Sequence, residues 1–333
     1  MFLEWVCRVY IYTMFGGKDM SDNVKTKSKK SRMSKVSLRE NMQMLTMVIP
    51  GFLLVLIFNY LPMPGIVIAF KKFNPNKGIW GSEWVGWKNF EFFFTSQDAA
   101  RTIGNTVFYS VTFLIVDLLA AVGLALMLYF LRSRKATKVY NTIVIIPKFM
   151  STVIIAFIAY TILSPSYGLA NQIIRFFGGT DIQWYMEAKY WPLILTIVHV
   201  WQTVGMNSIL YYASLMAIDE SLLEAAKIDG ANLRQQIWYV IVPHLVPIMC
   251  ITTILAIGGL FSGDFGLNYQ VTKNQGLLYP TTDIINTYSY RALTSGALEK
   301  SAAVGLFQSV VGMILVTLSN AIVRKISPEN SLF

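Results

Sequence analysis

The chain has 333 residues, of which 54% are hydrophobic and only 14% charged, with a mean hydropathy of +0.50. Soluble domains carry about 25% charged residues, so this composition excludes a water-soluble fold of that size and points to an integral membrane protein. The net charge of +10 would suit a nucleic-acid binder, but nine of the cations precede residue 44, which fits a cytoplasmic tail on anionic lipid; no nucleic-acid partner is expected.

Residues 1–17 are apolar enough to imitate a secretory signal. Glu4 and Arg8 interrupt the run and no small-residue cleavage pattern follows, so a cleaved signal is not expected, and Met1, Met20 and Met33 are all candidate starts. Ser21 to Lys35 (SDNVKTKSKKSRMSK) is basic and lacks apolar periodicity, which predicts disorder. Residues 1–43 thus read as a basic cytoplasmic tail and 44–333 as a membrane domain. Cys7 lies in the tail and Cys250 in an apolar run, so neither a disulfide nor a metal site is expected.

A bilayer core of about 30 Å needs about 20 apolar residues in helix. Six such runs follow, near Met44 to Ile68, Val107 to Leu131, Val139 to Leu163, Tyr190 to Leu215, Ile237 to Phe261 and Ala302 to Val323. The predicted fold is therefore an all-α integral membrane protein with six transmembrane helices. Pro50, Pro62 and Pro64 interrupt the first run, which predicts a kinked or unwound outer end. Lys and Arg are denser on the side holding the tail and the links at 132–138 and 216–236. The link RSRKATK alone carries four, so both termini are expected in the cytoplasm of a multi-pass bacterial plasma-membrane protein. In the first outer loop, Phe90, Phe93 and Phe94 recur at helical spacing beside Trp84 and Trp87. This predicts a helix at the outer interface or a plain aromatic belt.

Charges inside a crossing are costly and need a partner or a function. Asp117 in the second run and Lys148 in the third differ in depth by about 7 Å, which a lysine stem spans, so they are expected to pair; direct contact with a sugar or a gate is the alternative. The fourth run carries His199, Trp201, Gln202, Asn207 and Ser208 around Gly205. Flat aromatic faces with amides and hydroxyls suit a sugar, while the plainer reading is hydrogen bonding between helices. His199 reads as a satisfied core histidine. His244, between Pro243 and Pro247, reads as well as a hinge as a chemical group.

Between the fourth run and the start of the fifth lies AIDESLLEAAKIDGANLRQQIWYVIVP, the loop at 217–243. Ser221 and Glu224 have capping-box spacing, and Gly230 can take the left-handed conformation that ends a helix. A short helix, a glycine break and a second helix follow. A connector would need only a few polar residues, so the loop reads as a docking element, with simple loop packing as the alternative.

Glu224-Ala225-Ala226, then Asp229-Gly230-Ala231, then Val240, Val242 and Pro243 resemble the EAA loop of the membrane subunits of binding-protein-dependent ABC importers. Val240 and Val242 replace the usual Ile and Leu. Asp219 stands where many sugar permeases have Pro, which is expected to loosen the helix start. The stretch from Asn59 to Phe90 and the ending from Ala302 resemble the LplB and YteP type of permease for complex oligosaccharides and polysaccharide fragments. The resemblance implies a type I importer permease fold whose coupling helix inserts into an ATPase cleft. It further implies a second homologous permease in a heterodimer, a cytoplasmic ABC ATPase dimer holding ATP and Mg, an extracellular solute-binding protein and a carbohydrate substrate. By similarity to the maltose permease, the fourth run and Phe261, Ser262 and Asp264 are expected near the translocation path.

No catalytic residue, metal or cofactor is expected on this chain. It has no G-x-x-x-x-G-K-[ST] phosphate loop, no H-E-x-x-H, no G-x-S-x-G and only two histidines, which argues against a membrane-embedded enzyme. No internal repeat supports the other alternative, an ion-coupled transporter.

Overall fold

The computed structural model describes residues 35–326; the expectations for residues 1–34, including disorder and the alternative starts, lie outside the described residues. The elements in chain order are α1 (Lys35–Val55), the short strands β1 (Lys71–Lys72) and β2 (Glu83–Trp84), α2 (Lys88–Thr95), α3 (Gln97–Tyr129), α4 (Arg134–Phe149), α5 (Thr152–Leu163), α6 (Leu169–Phe176), α7 (Trp191–Met216), α8 (Glu220–Ile228), α9 (Leu233–Gln236), α10 (Val242–Gly258), α11 (Ile285–Thr294) and α12 (Leu298–Ile326).

Among the described residues, five helical stretches are long and apolar enough to cross a membrane: Thr46–Phe70, Gln97–Tyr129, Ala188–Met216, Leu233–Gly258 and Leu298–Lys325. Only 6% to 28% of the apolar 18-residue window in each is buried inside the protein, which leaves much apolar surface to meet lipid or another subunit. The expected third crossing is not one rod. It is α4 and α5, bent by 98° at the break, and the chain has six crossings only if that pair counts as one. Lys148 follows Pro147 in the last turn of α4, and the Ser151 hydroxyl accepts from the Val153 N–H to start α5, so the ladder is interrupted and restarted here.

The first span behaves as its prolines require. Pro50 is carried inside α1, a π-turn follows at Leu56–Tyr60, and a 3-10 segment runs from Met63 to Phe70. Its C-terminal end packs on α12, where Ala69, Phe90 and Ala303 form one buried cluster. The fold is not purely helical, because β1 and β2 pair antiparallel in the loop between the first two spans. The aromatic helix there is α2, and it is packed rather than purely interfacial. Phe93 is buried with Ala99, Ile285 and Val304, while Trp84, Trp87 and Phe94 remain exposed.

Two larger clusters hold the bundle. One joins Tyr109 and Phe113 of α3, Ile155 of α5, Trp191 and Leu195 of α7 and Leu267, all buried. The other joins Ala121 and Ala125 of α3, Tyr211 and Leu215 of α7, Leu223 of α8 and Leu245 of α10. The alanines let α3 and α7 approach closely, as small residues do between helices in lipid. Gly205 does the same for α7 and α4. A Cβ there would overlap the Val144 carbonyl, and it would sit 3.0 Å from the Ile145 nitrogen.

Away from the bundle axis, Asp283 is fully buried and binds two arginines. Arg291 reaches both its oxygens at 2.7 Å, and Arg101 at the start of α3 reaches one at 3.0 Å. A buried carboxylate needs this compensation, and the triad fixes the loop before α11 to the start of the second span.

Candidate coupling helix and translocation path

At one end of the bundle α7 runs into α8. The helix is capped by Asp219, whose carboxylate accepts from the Ser221 N–H at 3.0 Å. Two expectations are corrected here. Ser221 is not the cap, and Asp219 does not loosen the start. A carboxylate satisfies a free N–H at a helix N-terminus, which Pro cannot do. That hydrogen bond to the charged form holds the Asp219 carboxyl below its usual range.

Gly230 ends α8 at φ +81°. The Ala231 N–H returns to the Ala226 carbonyl at 2.9 Å and the Gly230 N–H to Lys227 at 3.1 Å, the paired bonds of a Schellman motif. A Cβ on Gly230 would meet nothing within 4 Å, so the demand for glycine comes from the backbone angle alone. The capping box sits on the second helix instead, where Asn232 and Gln235 bond each other's backbone. That second helix is not separate from the fifth span. α9 continues through a π-turn, Ile237–Ile241, into α10, with Pro243 at its first turn and His244 Nδ1 bonded to the Val240 carbonyl at 2.7 Å.

Burial divides α8 into two faces. Leu223 is buried against the feet of α7 and α10, whereas Glu224 and Ala225 are exposed and Ile228 is 86% exposed. Asp229 and Gly230 are exposed beside them, and Ala226, Ala231 and Pro243 are half-buried. A groove of about 1050 Å³ separates this helix from the RSRKATK link, with Arg132, Arg134 and Lys138 along one wall and Glu220 and Glu224 along the other. The link and the loop, which the cation count placed on one side, therefore share one end of the bundle. A helix fixed on its apolar side and presenting a carboxylate and small residues on the other can transmit a push to two spans at once.

In the spans, Asp117 is not paired with Lys148. Its Oδ2 lies 3.0 Å from His199 Nε2, and its Oδ1 accepts from the Thr203 hydroxyl at 2.8 Å. The imidazole stacks on Phe113, with ring centroids 3.9 Å apart, and its Nδ1 lies 3.6 Å from Asp264. Depth along the axis allowed the lysine, but helix rotation leaves Lys148 exposed. Asp264 also caps the Leu267 N–H at 2.9 Å.

The remaining expected path residues divide. Asn207 lines a cavity of about 110 Å³ together with Asp117, Tyr211 and Thr252. Trp201 is exposed and Gln202 half-buried. Ser208 is buried and donates to the Gly205 carbonyl of its own helix, so its hydroxyl is committed to structure. Phe261 packs beside Phe307, and its carbonyl accepts from Gln308. Ser262 is exposed, and its carbonyl accepts from Asn286. Asp117, His199 and Asp264 thus form one unit, while Trp201, Phe261 and Ser262 stand apart from it. Tyr211 and Thr252, hydrogen-bonded at 2.9 Å, went unread in the sequence because a lone Tyr and a lone Thr in apolar runs give no spacing signal.

Residues 118–329 match the family described as the binding-protein-dependent transport system inner membrane component. The polygalacturonan/rhamnogalacturonan transport system permease protein YteP of Bacillus subtilis is 33% identical over 92% of this chain and 96% of its own length. Protein LplB of the same organism is 33% identical over 88% of this chain and 92% of its own. Among solved structures, a bacterial ABC transporter involved in the import of the acidic polysaccharide alginate matches with a TM-score of 0.79 at 31% identity, over 88% of this chain and 98% of that one. A second, the alginate transporter in complex with an alginate pentasaccharide-bound periplasmic protein, gives 0.79 at 30% identity over 88% and 97%. With its EAA-type loop on an exposed helix and this extent of likeness, the chain belongs to the family of inner-membrane components of binding-protein-dependent transport systems.

Proposed function

We propose that this chain is one half of the translocation path of an ABC importer for an oligosaccharide or polysaccharide fragment. An extracellular solute-binding protein delivers the glycan, a second and similar permease completes the path, and a cytoplasmic ATPase dimer supplies ATP hydrolysis with Mg. The observation that carries this reading is the exposed Glu224-Ala225 face of α8, locked by the left-handed Gly230 turn to the feet of two spans. The glycan class is supported by the polygalacturonan/rhamnogalacturonan and alginate named for relatives that match 92% and 88% of this chain.

Vesicles containing this chain, a second permease, the ATPase and the binding protein are expected to accumulate glycan only with ATP. Omission of the ATPase or of the second permease should abolish uptake. Uptake driven by an ion gradient alone, or by this permease with the ATPase only, would overturn the reading.

Orientation follows from the same assignment. With the native cysteines replaced by alanine, Lys135→Cys is expected to resist an impermeant maleimide in intact cells and to react after the cells are opened. Asn76→Cys, in the opposite exposed loop, should react in intact cells. The reverse pattern would place α8 outside and exclude its docking to a cytoplasmic ATPase.

A further inference from the structure

Three features meet just beyond the fifth span. Lys273 and Asn274 are consecutive and left-handed, at φ 53° and 48°, the only non-glycine residues with positive φ among those described. Such conformations cost about 1 kcal/mol or more each and persist where the surroundings demand them. They follow a π-turn, Leu267–Val271, after the single residue Thr272, and such turns gather at functional positions. The strained turn forms one wall of a cavity of about 250 Å³, facing Val153, Ala156 and Phe157 of α5.

The chemistry of this wall is specific. The Lys273 ammonium lies 3.0 Å from the centroid of Tyr160 and 6.0 Å from that of Tyr185, and among the described residues no carboxylate comes within ion-pair distance of it. An aromatic face holds a cation in position without neutralising it, and the N–H groups of the ammonium that do not point into the ring remain for a ligand. The Asn274 side-chain oxygen accepts from the Tyr279 hydroxyl at 3.0 Å, which fixes the amide and frees its nitrogen to donate. Gln270 adds a second amide, and Tyr269, stacked on Phe265 at 5.2 Å and set at an angle to Tyr290 at 5.0 Å, lines the cavity as a fixed aromatic ring. A placed cation, amide donors and aromatic faces form a set that suits a sugar ring bearing a carboxylate.

We infer that this cavity binds the carboxylate of an acidic sugar, with Lys273 as its anion-binding group and the Tyr269 ring against the sugar face. The site makes the importer selective for uronate-containing glycans, and it rests on the carbohydrate reading above.

The test uses the complete complex in vesicles, with a galacturonate trimer and its methyl ester as probes. Wild type is expected to take up the acid in preference to the ester. Lys273→Gln keeps the backbone demand and stem length but removes the charge. It should weaken the apparent affinity for the acid about tenfold, as loss of one charge-assisted contact does, and change that for the ester less than about twofold. Lys273→Arg, which retains charge and stacking, should recover most of the loss. Equal handling of both probes by wild type and Lys273→Gln would overturn the site while leaving the carbohydrate reading intact. Transport of neither probe by wild type, with ATPase activity preserved, would overturn both. An effect of Lys273→Gln that followed the anionic lipid content of the vesicles and not the sugar charge would assign the lysine to a headgroup and overturn the site.

Discussion

Gly230→Val should leave the chain inserted and folded but reduce glycan uptake roughly 5- to 150-fold. The site is exposed and a Cβ would touch nothing there, so the change does not disturb packing. Its whole effect falls on φ +81°, which a β-branched residue adopts only at a cost of about 1–3 kcal/mol. That cost is levied on the conformation in which α8 ends and the chain turns back into the fifth span. The competent population falls by the corresponding factor. Glu224→Lys should act in the same direction without altering the fold, because Glu224 is exposed. The measurements are retention of the ATPase on the purified membrane subunits and substrate-stimulated ATP hydrolysis. Normal values for both variants would reduce the loop to a connector.

Gly205→Ala is expected to cost the protein about 2 kcal/mol or more, and it is the smallest substitution possible. The added methyl would overlap the Val144 backbone carbonyl, and a main-chain atom in a neighbouring helix cannot rotate out of the way as a side chain can. α4 and α7 must separate, and the contact that supports the first half of the bent third span is lost. Gly123→Ala in α3 is the matched control. It too lies in a membrane helix, but its new methyl would have nothing within 4 Å, so it should be neutral or slightly stabilising. Thermal stability of the detergent-purified complex separates the two, and equal behaviour would show that α4 does not pack on α7 as described.

Legibility of this chain from sequence followed the range of the interactions involved. Apolar run length located five spans to within a few residues at most ends, because hydrocarbon thickness imposes that length on the chain itself. Gly230 was readable because a single residue type answers a single backbone demand. The bend between α4 and α5 was not, although Pro147 and the Ser151 cap were both in view, since mean hydropathy is indifferent to direction. Asp117 shows a second limit: residue counting gives height along an axis and no azimuth, so Lys148 looked close enough while His199 and Thr203 on α7 held the carboxylate. Asp219 was misjudged for a different reason, comparison with a proline in related chains having concealed its capping chemistry.

The 98° bend also has a consequence for leakage. Of the groups freed at the break, the Met150 N–H finds Pro147 and the Val153 N–H finds Ser151, but the turn cannot return every carbonyl of α4 to a partner within the helix. Hydrocarbon offers such groups nothing, and irregular backbone at membrane depth survives only against protein or water. Lipid therefore cannot form the seal at this point. Ion tightness at the break has to come from polypeptide packed against it, and this chain contributes Met150, packed on the core, and Gly266, beside Thr152.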